Sequence, residues 1–306
     1  MHNMHQEEYD FELIVNYLSG NNGTEKIVEK IKKFLDQKNQ KYKLVEIVKP
    51  IPISKLFENG KILIKKGVVC IGGDGTVSET LGYMLKNNIK APLAVIPTGT
   101  ANFIATAFKM VKNRENFEFL MKGKIKEVDI GVIDYGDEKN FFLLGIGLGF
   151  QENFLRITKD RLKSCLGIFS YIIFALTKLI TLKKIPVKIS FGQEEINTKI
   201  CFLTVLNMQA SVLKVFPFFK DNKVRSDDKI FDLYYVEYKN YFLAVLGTLV
   251  FHLFGKLNFG LVKSARAERF TLESPVFCGT QVDGELRSCL PVKIYFHSEP
   301  CRFLVS

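Results

Sequence analysis

Apolar residues along the first 130 positions of the chain change period in a regular way. Positions 11–16 form a short apolar run that stops at Ser19-Gly20-Asn21-Asn22-Gly23, the pattern of a strand and a turn. From 24 to 35, Ile27, Val28, Ile31, Phe34 and Leu35 recur at helical spacing among lysines and glutamates. Strands are predicted at 44–48, 66–71 and 92–96, with a helix over 76–85 between the last two. This alternation of strand and helix predicts a layered α/β domain.

The rhythm changes after Asp129. Strand-like runs at 141–144, 187–191, 200–206, 231–237, 269–272 and 292–296 come close together with few helices between them. That pattern predicts a second, antiparallel β-rich, sandwich-like domain. The expected domains are residues 1–132 and 133–296, with 297–306 completing the first.

Two apolar stretches lie in the second half: 164–177, with 14 uncharged residues, and 240–255, with 16. Both are shorter than the roughly 20 residues that a spanning helix needs. In the second stretch Ala244, Thr248, His252 and Lys256 fall four apart, a narrow stripe on an otherwise apolar helix. It reads as a core helix, or as a face that packs on lipid with Lys183 and Lys184 beside it.

Composition sharpens this picture only in part. The 306 residues carry a formal charge of +11, which favours anionic partners: phosphates, acidic membrane or nucleic acid. The cations are scattered, so a nucleic-acid-binding arm is not expected. The six cysteines form no C-x-x-C pair and suit reduced core thiols of a cytoplasmic protein. His2 and His5 sit on a terminus where solvated side chains are the expectation.

The most specific feature is Gly72-Gly73-Asp74-Gly75-Thr76, placed directly between a strand and a helix. Glycines let backbone approach a ligand, and the N–H groups opening the following helix attract anions. Asp74 would repel a phosphate unless Mg²⁺ lies between them. A glycine run at 145–149 lacks the G-x-G-x-x-G spacing of a dinucleotide site and reads as backbone crowding at an interdomain cleft.

This glycine turn resembles the nucleotide motif of the diacylglycerol kinase catalytic domain family and its sphingosine kinase and NAD kinase relatives. Pro97-Thr98-Gly99-Thr100-Ala101-Asn102 resembles a block of the lipid kinases that NAD kinases lack. Asp283-Gly284-Glu285 resembles the segment that supplies their general base. The order of the three fits the soluble bacterial branch of the family.

The resemblance implies an α/β plus β fold of the NAD kinase/diacylglycerol kinase kind. It also implies transfer of the γ-phosphate of ATP, with Mg²⁺, to a lipid hydroxyl at a membrane surface. Asn16, Ser19, Gly20, Gly72, Gly73, Asp74, Gly75, Thr76, Glu79, Thr98, Gly99, Thr100 and Asn102 would then hold nucleotide. Asp74 and Asp129 would belong to a magnesium network, and Arg225, Asp228 and Ile230 to a small structural metal site. Glu285 would be the base, with Asp283 the runner-up.

Phe103 departs from the pattern, because the family places an aspartate there; a weakly active or non-catalytic relative is therefore an alternative, as is an NAD kinase-like enzyme. The expected setting is cytoplasmic with transient, non-spanning membrane association and no nucleic acid. A homodimer through an exposed strand edge is left open.

Overall fold

The fold is described from a computed structural model, over residues 7–19, 23–50, 53, 62–99, 102–108, 116–149, 184–208, 224–240, 242–243, 246 and 262–305. The chain separates into two compact units: residues 1–128 with 299–306, and residues 129–298. The stretch 164–177, Lys183, and most of 240–255 lie outside the described residues, so the stripe read from Ala244 to Lys256 does too.

The first unit opens with β1 (Glu7–Asn16), α1 (Thr24–Gln37), β2 (Tyr42–Ile47), β3 (Ile62–Gly72), α2 (Asp74–Lys86) and β4 (Leu93–Pro97). Two short helical pieces, α3 (Phe103–Ala107) and α4 (Phe119–Lys122), lead to β5 (Lys124–Val128). β1 to β4 are parallel, in the spatial order β2-β1-β3-β4. The C-terminal strand Cys301–Val305 inserts between β4 and β5 and closes the six-stranded sheet.

Alternation within β1 explains how the sheet is covered. Phe11, Leu13 and Val15 point to one side, where Ile27, Val28, Ile31 and Leu35 of α1 complete a core with Val69, Ile71, Ala94 and Ile96. The helical spacing seen in the sequence is the stripe that makes this contact. Residues of the opposite parity on β1 face α2, and Glu12 is among them, fully buried.

The described residues of the second unit lie mostly in antiparallel strands. In chain order they are β6 (Gly131–Asp134), β7 (Lys139–Phe142), β8 (Gly145–Leu148), β9 (Ile185–Phe191), β10 (Glu194–Leu206) and β11 (Phe231–Glu237). β12 (Val262–Ala267), β13 (Arg269–Glu273), β14 (Gly279–Val282), β15 (Glu285–Cys289) and β16 (Val292–Phe296) follow, and the C-terminal strand is β17. One hydrogen-bonded path runs β15-β14-β8-β10-β9-β13-β16-β6-β7, with β11 branching from β10 and carrying β12.

Eleven twisted strands cannot stay flat, and this sheet curls around its own inner face. That face packs Phe142, Leu203, Val205, Phe231, Leu233, Phe270, Leu272 and Ile294. Phe231 stacks on Phe296 with ring centroids 3.8 Å apart. The α/β plus antiparallel-β fold expected from the sequence is borne out.

The glycine run at 145–149 is β8 and its exit. A Cβ on Gly145 would lie 2.4 Å from the Val205 carbonyl oxygen, and one on Gly149 2.3 Å from that of Cys201. The crowding predicted there is imposed by β10. Cys70, Cys201, Cys278 and Cys301 are buried free thiols, and burial pushes Cys70 and Cys301 up to about 12, which makes them inert at neutral pH.

Glu12 is the costly element of the first unit. Burial raises its carboxyl to about 7, while Lys43 on the neighbouring strand and the Tyr83 hydroxyl pull it back only in part. The unfolded chain releases this proton near the ordinary glutamate range, so ionisation above that range favours unfolding. Stability from this residue is intact below about pH 4.5, falls as pH rises from there through 7, and is level above that, the full loss being about 3 kcal/mol. Glu12→Gln should therefore match the native protein in thermal melts near pH 4.5, exceed it increasingly toward pH 7, and hold a constant advantage from pH 8 to 9. Equal melting curves at both ends would show that Glu12 carries no such cost.

Candidate active site

In the first unit the chain passes from β1 outward to β2, then returns to place β3 on the other side of β1. That reversal makes the β1/β3 boundary a topological switch point, and the crevice beyond the carboxyl ends of such strands is where α/β sheets bind ligands. The predicted nucleotide residues of β1, β3 and β4 all fall at these carboxyl ends. Asn16 closes β1, Gly72 closes β3, and Pro97 closes β4 opposite Gly72.

Local hydrogen bonds tie the three ends together. Asn16 Nδ2 donates to Thr76 Oγ1 at 2.9 Å, across the switch point from β1 to the first turn of α2. Thr98 N–H donates to the Gly72 carbonyl at 3.0 Å, and the hydroxyls of Ser19 and Thr98 lie 3.5 Å apart. Gly20 and Thr100 lie outside the described residues.

The two glycine segments meet directly. A Cβ on Gly99 would stand 2.6 Å from the Gly73 Cα, and one on Gly73 would stand 3.3 Å from the Gly99 Cα. Backbone packs on backbone here, which explains why both motifs carry glycine at these positions. Gly73 precedes α2 as its N-cap residue, Asp74 and Gly75 open the helix, and no side chain caps it. The first-turn N–H groups and the helix dipole thus face the strand ends, an arrangement suited to an anion.

Asp74 does more than the sequence suggested. Its two carboxylate oxygens accept the backbone N–H groups of Phe103 and Ile104, each at 2.9 Å, so it holds the N-terminal end of α3. Burial raises its carboxyl above the usual range, and the α3 amides oppose that shift. Phe103, which stands where the lipid kinases have aspartate, contributes its main chain to this contact. Asn102 precedes it with φ +50°, a left-handed conformation that asparagine tolerates, and its Nδ2 donates to the Gly99 carbonyl at 2.6 Å.

Glu79, one turn further along α2, accepts the backbone N–H of Ile53 at 3.2 Å. It tethers the segment after β2 to the helix.

In the second unit, Asp129 is buried at 7% exposure, and burial, with Asp227 and Asp228 nearby, raises its carboxyl. Its Oδ2 accepts the Lys229 N–H at 2.8 Å, and its carbonyl accepts Asn207 Nδ2 at 2.7 Å. Asp228 accepts its own loop's Ile230 N–H at 3.2 Å and lies 3.4 Å from Arg266. Arg225 is exposed and pairs with Asp227 at 3.1 Å. Among the described residues, no three His, Cys, Asp or Glu side chains cluster as metal ligands.

Asp283 and Gly284 form the two-residue turn joining β14 to β15, both with positive φ, +46° and +92°, the geometry of a type I′ hairpin. The Asp283 carboxylate accepts the N–H groups of Leu143 at 2.8 Å, Leu144 at 2.8 Å and Gly145 at 3.0 Å. Glu285, two residues on, is held only by Arg287 at 2.7 Å among the contacts described. The sequence favours Glu285 over Asp283 as the base, and the hydrogen bonds distinguish the two acids further.

Asn207 was missed from the sequence. It is 1% exposed, and its amide bridges the carbonyls of Asp129 and Leu143, linking the two acidic segments. No motif marks it, since its importance comes from where β10 ends.

Residues 10–133 match the diacylglycerol kinase catalytic domain family, the family that the motifs resemble. A Yersinia pestis (strain Pestoides F) protein named "Probable lipid kinase YegS-like" is 33% identical over 138 residues, 44% of this chain and 46% of that protein. A Klebsiella pneumoniae (strain 342) protein of the same name is 31% identical over 117 residues, 38% of each chain. These alignments span less than half the length of those curated relatives.

Solved structures match over nearly the full length. A diacylglycerol kinase from Bacillus anthracis str. Sterne superposes with a TM-score of 0.68 at 20% identity, over 97% of both chains. Another structure from that organism reaches 0.75 at 22% identity, over 97% of this chain and 98% of its own. An NAD kinase from Archaeoglobus fulgidus in complex with ATP gives 0.51 at 16% identity, over 96% and 93%. At such identities the likeness establishes the fold.

The contact of Gly73 and Gly99 yields a direct test. Gly99→Ala forces a methyl against the Gly73 main chain, which cannot rotate away. We expect a loss of about 1–3 kcal/mol in stability, and loss of ATP binding by calorimetry. Gly136→Ala, where no atom lies within 4 Å of the added methyl, strains only its own turn and should leave ATP binding intact. Native ATP affinity in Gly99→Ala would remove these strand ends from the nucleotide site.

Proposed function

We propose that this protein is an ATP-dependent lipid kinase, which moves the γ-phosphoryl group of ATP to the hydroxyl of diacylglycerol or a related lipid. The observation that carries this reading is the meeting of Gly73 with Gly99 at the switch point, inside the region matched to the diacylglycerol kinase catalytic domain. Backbone free of side chains, next to the uncapped N-terminus of α2, is suited to a triphosphate.

The acids fit a hard divalent cation. The Asp74 oxygens accept the Phe103 and Ile104 amides, with the amides of Asn102 and Asp74 itself also favouring the charged form, and Asp129 accepts one amide at Oδ2. In the first unit Asp74 is the residue that would hold Mg²⁺, which would neutralise phosphate charge when bound, and Asp129 offers a carboxylate in the second. The chain's own contribution is positioning: Asn16, Thr76, Thr98 and Gly72 fix the strand ends that receive the nucleotide.

Glu285 is assigned as the base. It takes the proton of the lipid hydroxyl as that oxygen bonds to the γ-phosphorus and the bond to ADP breaks. Three amide donors bond to the Asp283 oxygens, so its part is to lock the hairpin that carries Glu285.

A second reading, a nucleotide-binding relative without transfer activity, is favoured by Phe103 alone. Radiolabelled ATP with Mg²⁺ and a total lipid extract separates the two, with NAD offered in parallel. We expect label in one lipid species. Label in NAD, or ATP binding without any labelled product, would overturn the kinase assignment.

Two substitutions divide the roles of the acids. Glu285→Gln should lower kcat by roughly 10²–10⁴ while leaving the melting temperature and ATP affinity as they are. Asp283→Asn turns one oxygen into a donor that faces amide donors, and should cost about 1–3 kcal/mol of stability as well as activity. If Glu285→Gln retains full turnover, Glu285 is not the base.

A further inference from the structure

Four strands of the second unit come level at one row. Ser274, just past β13, donates through its hydroxyl to the Pro186 carbonyl at 2.7 Å; Pro186 pairs with Lys199 of β10; Tyr238, just past β11, donates its N–H to the Lys199 carbonyl at 2.7 Å. Lys184, before β9, lies with its Nζ 5.8 Å from the Tyr238 ring centroid, so it reaches across β10 on the same face.

From this row two chain segments depart with large apolar side chains in solvent. After β13, Val276 is 46% and Phe277 82% exposed. After β11, Phe242 is 72% and Leu246 38% exposed, four positions apart in helical conformation. Leu243 N–H is anchored on Asn240 Oδ1 at 2.8 Å, which fixes how that segment begins.

The charges around them are of one dominant sign. Lys184, Lys199 and Lys239 are exposed. The nearest acid on β13, Glu273, lies 3.6 Å from Lys188, and the Glu237 carboxylate accepts the Thr198 hydroxyl at 3.4 Å.

We propose that this row is where the protein engages an anionic lipid surface, with Phe277 and Val276, and Phe242 and Leu246, entering the interface between headgroups and chains. Exposed apolar side chains beside lysines match the chemistry of such a surface, where apolar burial and attraction to anionic lipid add. A protein partner fits less well, because two separated tips make a small footprint against the roughly 1,000 Å² of a stable interface. The proposal deepens the lipid-kinase reading, on which it rests only for the choice of partner.

The chain contains no tryptophan, so Phe277→Trp introduces a single fluorescent reporter at the tip. Its emission should shift to the blue and be quenched by brominated lipid on vesicles of phosphatidylglycerol with phosphatidylcholine, and far less on phosphatidylcholine alone. In vesicle sedimentation, Phe277→Ser should reduce the bound fraction roughly tenfold, and Lys199→Glu with Lys239→Glu should do so in a salt-sensitive way.

The reporter reads insertion without any turnover, and a soluble short-chain acceptor measures transfer without any membrane. Insertion in a protein that phosphorylates no lipid leaves this surface standing and removes the kinase reading. Sedimentation with anionic vesicles while the tryptophan emission stays unchanged overturns the surface. So does a native protein that pairs with a second copy through Phe277 and ignores vesicles.

Discussion

The first unit depends on one contact, the approach of two main-chain segments at Gly73 and Gly99. It brings the ends of β3 and β4 closer than any side chain would permit, and it sets the start of α2 at the switch point of the sheet. Asp74 follows from it. With α2 so placed, its carboxylate reaches the amides of α3 and ties the second glycine block to the first. A residue that looked purely functional therefore also carries structure, and its burial is compensated by backbone donors.

The second unit applies the same logic to a hairpin. A type I′ turn needs two residues with positive φ, and Asp283-Gly284 supplies them. The Asp283 carboxylate then collects three consecutive amides at the start of β8, where glycine is required because β10 passes so close. Asn207, at the end of β10, joins the same region to Asp129. These buried polar links hold the Asp129 and Asp283 segments in place on a sheet whose inner face is packed with apolar side chains.

Polar groups without full compensation mark the other extreme. Glu12 sits amid the sheet of the first unit with its carboxyl raised to about 7, and Asn102 and Asn207 each bury a carbonyl oxygen that finds no hydrogen-bond partner among the described contacts. Asn102 adjoins the glycine contact and Asn207 the Asp129 segment, so unsatisfied polarity gathers where positioning matters. The exposed Phe277 is the converse, an apolar group left in water at a place with lysines around it.

Sequence alone determined what depends on local chemistry. Helical periodicity fixed α1, because a stripe at i, i+3 and i+4 can only cover one face of a sheet. The glycine motifs announced a backbone that must approach something closely, and they implied the family. Short strands such as β14 and β15 escaped, since their pattern is too brief to show a period and is set by pairing with distant residues. What only the tertiary structure decided was partnership: that Gly73 meets Gly99, that Asp283 is spent on amides while Glu285 is not, and that Phe103 serves through its main chain. Those facts join residues 26 to 140 positions apart, and no local pattern encodes which distant donor a carboxylate will find.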